Sequence, residues 1–65
     1  MHITVNATPH DIAAETLAAA LEELGYANPA IATALNGRFV PKPERATTVL
    51  GDGDRLEVLT PMQGG

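Results

Sequence analysis

Along the first six residues Ile3 and Val5 alternate with His2 and Thr4, the two-residue period of a half-buried strand. "NATPHD" then gathers Asn6, Pro9 and Asp11, which favour turns through a preset φ or local side-chain hydrogen bonds. A second short strand around Asp11 to Ala13 is expected to pair back on the first. From Glu15 the period lengthens. Leu17, Ala20, Leu21 and Leu24 fall at i, i+3, i+4 and i+7, one stripe of a helix, with Glu22 and Glu23 turned to water. Thr16 is the predicted N-cap, and Gly25 the residue whose left-handed conformation ends the helix.

"AIATALNGRFVPK" predicts a hairpin. Asn36-Gly37 places two residues that tolerate positive φ side by side, as a tight type I′ turn demands, with Ile31 to Leu35 and Arg38 to Val40 as arms. Pro41 and Pro43 end the second arm or hold it at a sheet edge, because proline has no N–H for a ladder. "ERATTV" reads as irregular or a single helical turn, and "GDGD" as a dense turn. "RLEVLT" alternates again, with Leu56 and Val58 inward and Arg55 and Glu57 outward. Three helix leucines need a surface to pack on, and strands are the only candidates. The expected fold is α+β, a small mixed sheet of four to five strands with one helix packed across it.

A chain of 65 residues makes one domain and buries only about 60% of the surface its unfolded form exposes. That leaves no room for an enclosed active site beside a core. Without cysteine, the apolar residues, 45% of the chain, carry stability without disulfides or thiolate metal sites. Eight acidic residues against four basic ones, with Tyr26 and Phe39 the only aromatics, argue against nucleic acid, whose phosphates are neutralised by Lys and Arg. An acidic surface suits either a basic patch on a protein partner or simple solubility. No Lys or Arg precedes the first apolar run, and "IAAETLAAALEEL" is charged and too short for a membrane span. The expected setting is soluble and cytoplasmic, with no membrane partner.

The side chains capable of chemistry form no constellation in the sequence. His2 and His10 lack converging partners, although Asp11 adjoins His10 and could bond to it. Asp52 and Asp54 lack the further oxygens of a calcium loop, so turn chemistry accounts for them better. Thr16, Thr47 and Thr48 have no base at a recognisable spacing, and no helix start follows Gly51 and Gly53 to cradle a phosphate.

The tail remains. At about 7% glycine per position, two consecutive glycines at the end arise by chance in about 0.5% of chains. Residues 1–60 are expected to form the domain, and 61–65 a flexible arm that Pro61 releases from the final strand. Such an arm reaches roughly 16 to 18 Å at 3.3 to 3.6 Å per residue, enough to carry a carboxylate into another protein's active site. Glycine lets a narrow channel close around the backbone and lets the chain follow the path imposed on it. A carboxylate is a poor electrophile, however. It needs activation as a mixed anhydride with a nucleotide, and with no nucleotide site of its own the chain needs a partner for that.

Taken together, "TLAAALEELG", "ALNGRFVPK", "GDGDRLEVL" and the terminal "GG", in this order and at this length, resemble the ThiS family, ubiquitin-like β-grasp sulfur carriers of thiamine biosynthesis. The resemblance implies that a ThiF-type adenylyltransferase, using ATP and magnesium, converts the Gly65 carboxylate into an acyl-adenylate. Sulfur from a cysteine desulfurase persulfide then displaces AMP to give a thiocarboxylate, which a ThiG-type thiazole synthase consumes. It makes Gly65 the site of chemistry, Gly64 the passage residue, and Gln63 and Met62 partner contacts. The chain itself would bind no cofactor or metal and act as a protein cosubstrate, not an enzyme. Arg45 departs from the pattern, standing where many relatives carry an aromatic residue. The alternatives are a MoaD-like carrier for molybdopterin or another sulfur pathway, a ubiquitin-like modifier joined through Gly65 to lysine, and a passive binding module.

Overall fold

The computed structural model describes residues 1–26 and 30–61. Its single α-helix among these, α1 (Leu17–Glu23), starts and stops where local chemistry dictates. Thr16 is extended and its hydroxyl accepts from the Ala19 N–H, one of the donors a helix start leaves free. At the other end Gly25 takes φ 87°, and the N–H groups of Gly25 and Tyr26 return to the carbonyls of Glu22 and Leu21, a Schellman closure. The helix turns Leu17, Ala20 and Leu21 into the core, with Leu24 half-buried beside them.

Strands β1 (His2–Val5) and β2 (Thr8–Asp11) form a hairpin, paired from Val5↔Thr8 to His2↔Asp11. This corrects the expected position of the second strand, Asp11 to Ala13, which lies three residues too late. The reversal takes only Asn6 and Ala7, at φ 50° and 69°, so the chain is already pairing at Thr8. Pro9 is tolerated because β2 is an edge strand. β3 (Ala32–Leu35) and β4 (Arg38–Val40) form the second hairpin, with Asn36 and Gly37 both at positive φ (52° and 82°) in the predicted type I′ turn. β4 is the other edge, and Pro41 caps the 3-10 helix Lys42–Thr47 that follows it. β5 (Arg55–Leu59) closes the fold.

The sheet order is β2-β1-β5-β3-β4, so the strand formed last in the chain lies at the centre. β5 runs parallel to β1 and antiparallel to β3. Ile3, Val5, Leu56, Val58 and Val40 project from one face and join Leu17, Ala20, Leu21, Ile12, Ile31 and Leu50 in a single core. This is the α+β, β-grasp architecture expected from the sequence.

Arg45 is buried in the 3-10 helix. Its Nη2 donates to the Ile31 carbonyl at 2.6 Å and its Nε to Thr33 Oγ1 at 3.2 Å. The Thr33 hydroxyl in turn donates to the Val40 carbonyl at 2.9 Å. The long stem fills apolar volume while the guanidinium straps the 3-10 helix to β3 through uncharged oxygens. Arg45→Ala is therefore expected to cost about 1 to 3 kcal/mol, because a buried acceptor loses its donor. Urea denaturation checks this, and an unchanged midpoint would show that the strap contributes nothing net.

Candidate functional site

The structure does not bring the residues that looked capable of chemistry together. His2 pairs with Asp11 and His10 with Ile3 across the β1–β2 ladder, so the two imidazoles lie on opposite faces of the sheet. Asp11 does not serve His10. Neighbours on a strand point apart, and Asp11 Oδ1 lies 3.5 Å from the Met1 ammonium instead. The "GDGD" carboxylates are turn builders: Asp52 Oδ1 accepts from the His2 N–H at 2.7 Å, and Asp54 accepts from the Gly51 N–H and the Asn36 carboxamide. Thr47 and Thr48 both donate to the Glu44 carbonyl, and Thr16 caps the helix. Among the described residues no group of three or more His, Asp or Glu could hold a metal ion. A groove along edge strand β4, bordered by Leu35, Arg38, Val40, Glu44 and Thr48, holds no nucleophile set against a base.

One side chain read as merely solvated has a structural role. The Glu23 carboxylate accepts from the Ala13 and Ala14 N–H groups at 2.9 to 3.1 Å, tying the β2–α1 connection to the last turn of the helix. No sequence signal marked it, since it is an exposed glutamate on the polar side of an amphipathic helix.

The centre of interest is the end of β5. Val58 is buried, whereas Leu59, Thr60 and Pro61 are exposed and the strand stops at Leu59. Two asparagines, each at the positive-φ position of a hairpin turn, hold β5 from its two sides. At its start Asn36 accepts from the Arg55 N–H through Oδ1 at 2.9 Å and donates its own N–H to the Arg55 carbonyl at 2.7 Å. Near its end Asn6 accepts from the Val58 N–H at 2.8 Å and donates from Nδ2 to the Val58 carbonyl at 3.1 Å. The sequence reading treated both only as turn residues. On the face of the sheet turned away from the core, Leu59 stands opposite Ala32 and Phe39 opposite Ala34. Leu59 is 71% and Phe39 65% exposed, the first at the end of β5 and the second on edge strand β4, level with Glu57. Met62, Gln63, Gly64 and Gly65, the residues assigned to the chemistry and its passage, lie outside the described residues, as does most of the proposed arm 61–65.

Similarity to other proteins follows the same geometry. The crystal structure of the thiamine biosynthesis protein ThiS from Geobacter metallireducens superposes with a TM-score of 0.84 at 32% identity, covering 100% of both chains. An NMR solution structure of a thiamine biosynthesis protein from the same organism gives a TM-score of 0.81 at 29% identity, covering 100% of this chain and 88% of that one. No curated protein matches the chain. The sequence model of the ThiS family matches residues 3–65, from the first buried residue of β1 through the final glycine. With the match reaching across every strand of this sheet and on through Gly64 and Gly65, the chain belongs to the ThiS family.

Proposed function

We propose that this protein is a sulfur carrier of thiamine biosynthesis and that the Gly65 carboxylate is its only reacting group. The observation that carries the reading is the family match over residues 3–65, which takes in the Gly-Gly end along with the domain. It is supported by the use of Asp52, Asp54, Thr16, Thr47 and Thr48 in turns and caps. Two solved structures similar to the chain, both from Geobacter metallireducens, are described as thiamine biosynthesis proteins, which favours that pathway over molybdopterin.

The chemistry begins on a partner. A ThiF-type adenylyltransferase binds ATP and magnesium, and a Gly65 carboxylate oxygen attacks the α-phosphorus and expels pyrophosphate. The acyl-adenylate now has AMP as a leaving group in place of oxide. The terminal sulfur of a persulfide, loaded by a cysteine desulfurase, attacks the acyl carbon and displaces AMP. A thiol then reduces the remaining S–S bond and releases the Gly65 thiocarboxylate, whose sulfur a ThiG-type thiazole synthase takes up in the cytoplasm. In this scheme the protein is consumed and regenerated as a cosubstrate. Its domain supplies recognition, with the exposed Leu59 offering apolar area where the chain departs and Phe39 offering more on the same face of the sheet. Among the described residues no helix is long and apolar enough to cross a membrane.

Intact-mass spectrometry of the untagged protein, produced together with its adenylating partner, tests the reading. The expected result is replacement of one oxygen by sulfur, mapped to the peptide ending in Gly65. Conjugates on lysine side chains would identify a modifier instead. An unmodified terminus in the presence of active partner, ATP and persulfide would overturn the proposal.

A further inference from the structure

Asn6 does more at the end of β5 than close a turn. β1 leaves the sheet after Val5, yet the Asn6 N–H still donates to the Leu56 carbonyl at 2.9 Å. Its carboxamide then bonds to both backbone groups of Val58. The side chain stands where the next peptide group of β1 would be had the strand continued, and it extends the parallel ladder by one step after the main chain has turned away. On the opposite side β3 pairs Ala32 with Leu59. The last two residues of β5 are thus held from both flanks, one flank by a single side chain 52 positions away in sequence. Beyond them come only Thr60 and Pro61 before the four residues that would enter the partner.

We propose that Asn6 is a positioning residue for the transfer reaction: its carboxamide clamps Val58 and so fixes the direction in which the chain leaves the sheet toward the adenylating enzyme. The proposal rests on the sulfur-carrier reading above. Without the clamp the end of β5 can fray on the β1 side, the arm samples more directions, and the partner must pay the cost of ordering them. That cost falls on association, so it raises KM for the carrier. Once Gly65 is seated, the reacting atoms meet as before and kcat is preserved.

Asn6→Gly isolates the carboxamide, because glycine adopts the φ of 50° without strain and only the side-chain bonds are lost. Asn36→Gly is the control, since it removes the Asn36 side-chain bonds to the Arg55 N–H and to Asp54 at the other end of β5 and keeps positive φ at its own turn. Amide hydrogen exchange on both variants is combined with steady-state pyrophosphate release by the adenylating partner. Asn6→Gly is expected to lose protection at Val58 and to raise KM about tenfold with kcat within about twofold, whereas Asn36→Gly loses protection at Arg55 and leaves KM unchanged. Unchanged exchange at Val58, an unchanged KM in Asn6→Gly, or an equal rise in KM in both variants would each overturn the positioning role. Failure of the wild-type protein to be adenylated would overturn the carrier reading and the positioning role with it. Wild-type turnover with a silent Asn6→Gly would overturn the positioning role alone.

Discussion

Deletion of Gly64 and Gly65 is expected to abolish thiocarboxylate formation while leaving the melting temperature within about 4 °C of wild type. Among the described residues the buried core runs from Ile3 to Val58, and neither glycine has a side chain to add to it. Changes away from the core ordinarily fall within about 0.5 kcal/mol, and 1 kcal/mol shifts the melting temperature of a domain this small by about 4 to 8 °C. Function responds oppositely. Without the last two residues the acceptor carboxylate moves to Gln63, which brings a bulky side chain and falls two residues short of the activated phosphate. Gly65→Ala is the finer probe: one methyl beside the reacting carbonyl displaces it by about an ångström, enough to slow adenylation by about 10²-fold. Intact mass reports the product and circular dichroism reports the fold. Sulfur incorporation by the truncated chain would sink the assignment of Gly65. A large loss of thermal stability would show that the tail packs on the domain.

The second large effect is expected from Leu56→Ala. Leu56 is 1% exposed on the central strand, in register with Val5 on one side and Leu35 on the other. Truncating it removes contacts from both halves of the sheet at once, and a cavity bounded by hydrogen-bonded strands collapses poorly. The cost is about 2 to 5 kcal/mol. A 65-residue domain has only about 3 to 10 kcal/mol in total at roughly 0.05 to 0.15 per residue, so the variant is expected to be partly or wholly unfolded at 37 °C. Leu59→Ala is the companion measurement. It lies three residues along the same strand on the exposed face, and its melting temperature is expected to stay near wild type. Equal losses in the two variants would mean that the inward and outward faces of β5 are misassigned.

Those two faces were legible in the sequence, as were the helix stripe and the Asn36-Gly37 turn. Each rests on interactions within a few residues. Alternation marks a strand with one wet side, the i, i+3, i+4 spacing marks one face of a helix, and adjacent positive-φ residues mark a two-residue turn. Leu17, Ala20 and Leu21 are buried as the stripe predicted, and Thr16 and Gly25 bound the helix as capping chemistry requires. The displaced β2 shows where local reasoning stops. Asn6, Pro9 and Asp11 looked like a continuous turn because each favours one. Pairing with β1 at an edge, where Pro9 needs no partner for its nitrogen, overrode that preference.

Arg45 and Asn6 mark the same limit at the level of function. An arginine in place of an aromatic residue signalled a change of packing. Only the fold shows that its stem is buried and its guanidinium donates to Ile31 and Thr33, 14 and 12 residues away. Asn6 read as a turn residue, and its reach to Val58 depends on β1 and β5 lying side by side from opposite ends of the chain. By itself the sequence determined the helix stripe, the Asn36-Gly37 hairpin and the alternation of β1 and β5, and it singled out the Gly-Gly end as the proposed place for chemistry, because these are written in residue type and short spacing. The tertiary structure alone decided that β5 is the central strand, that Arg45 is interior, and that Asn6 holds the strand from which the tail departs. Those contacts join residues far apart in the chain, and hydrophobic burial of the whole sheet, not any local preference, brings them together.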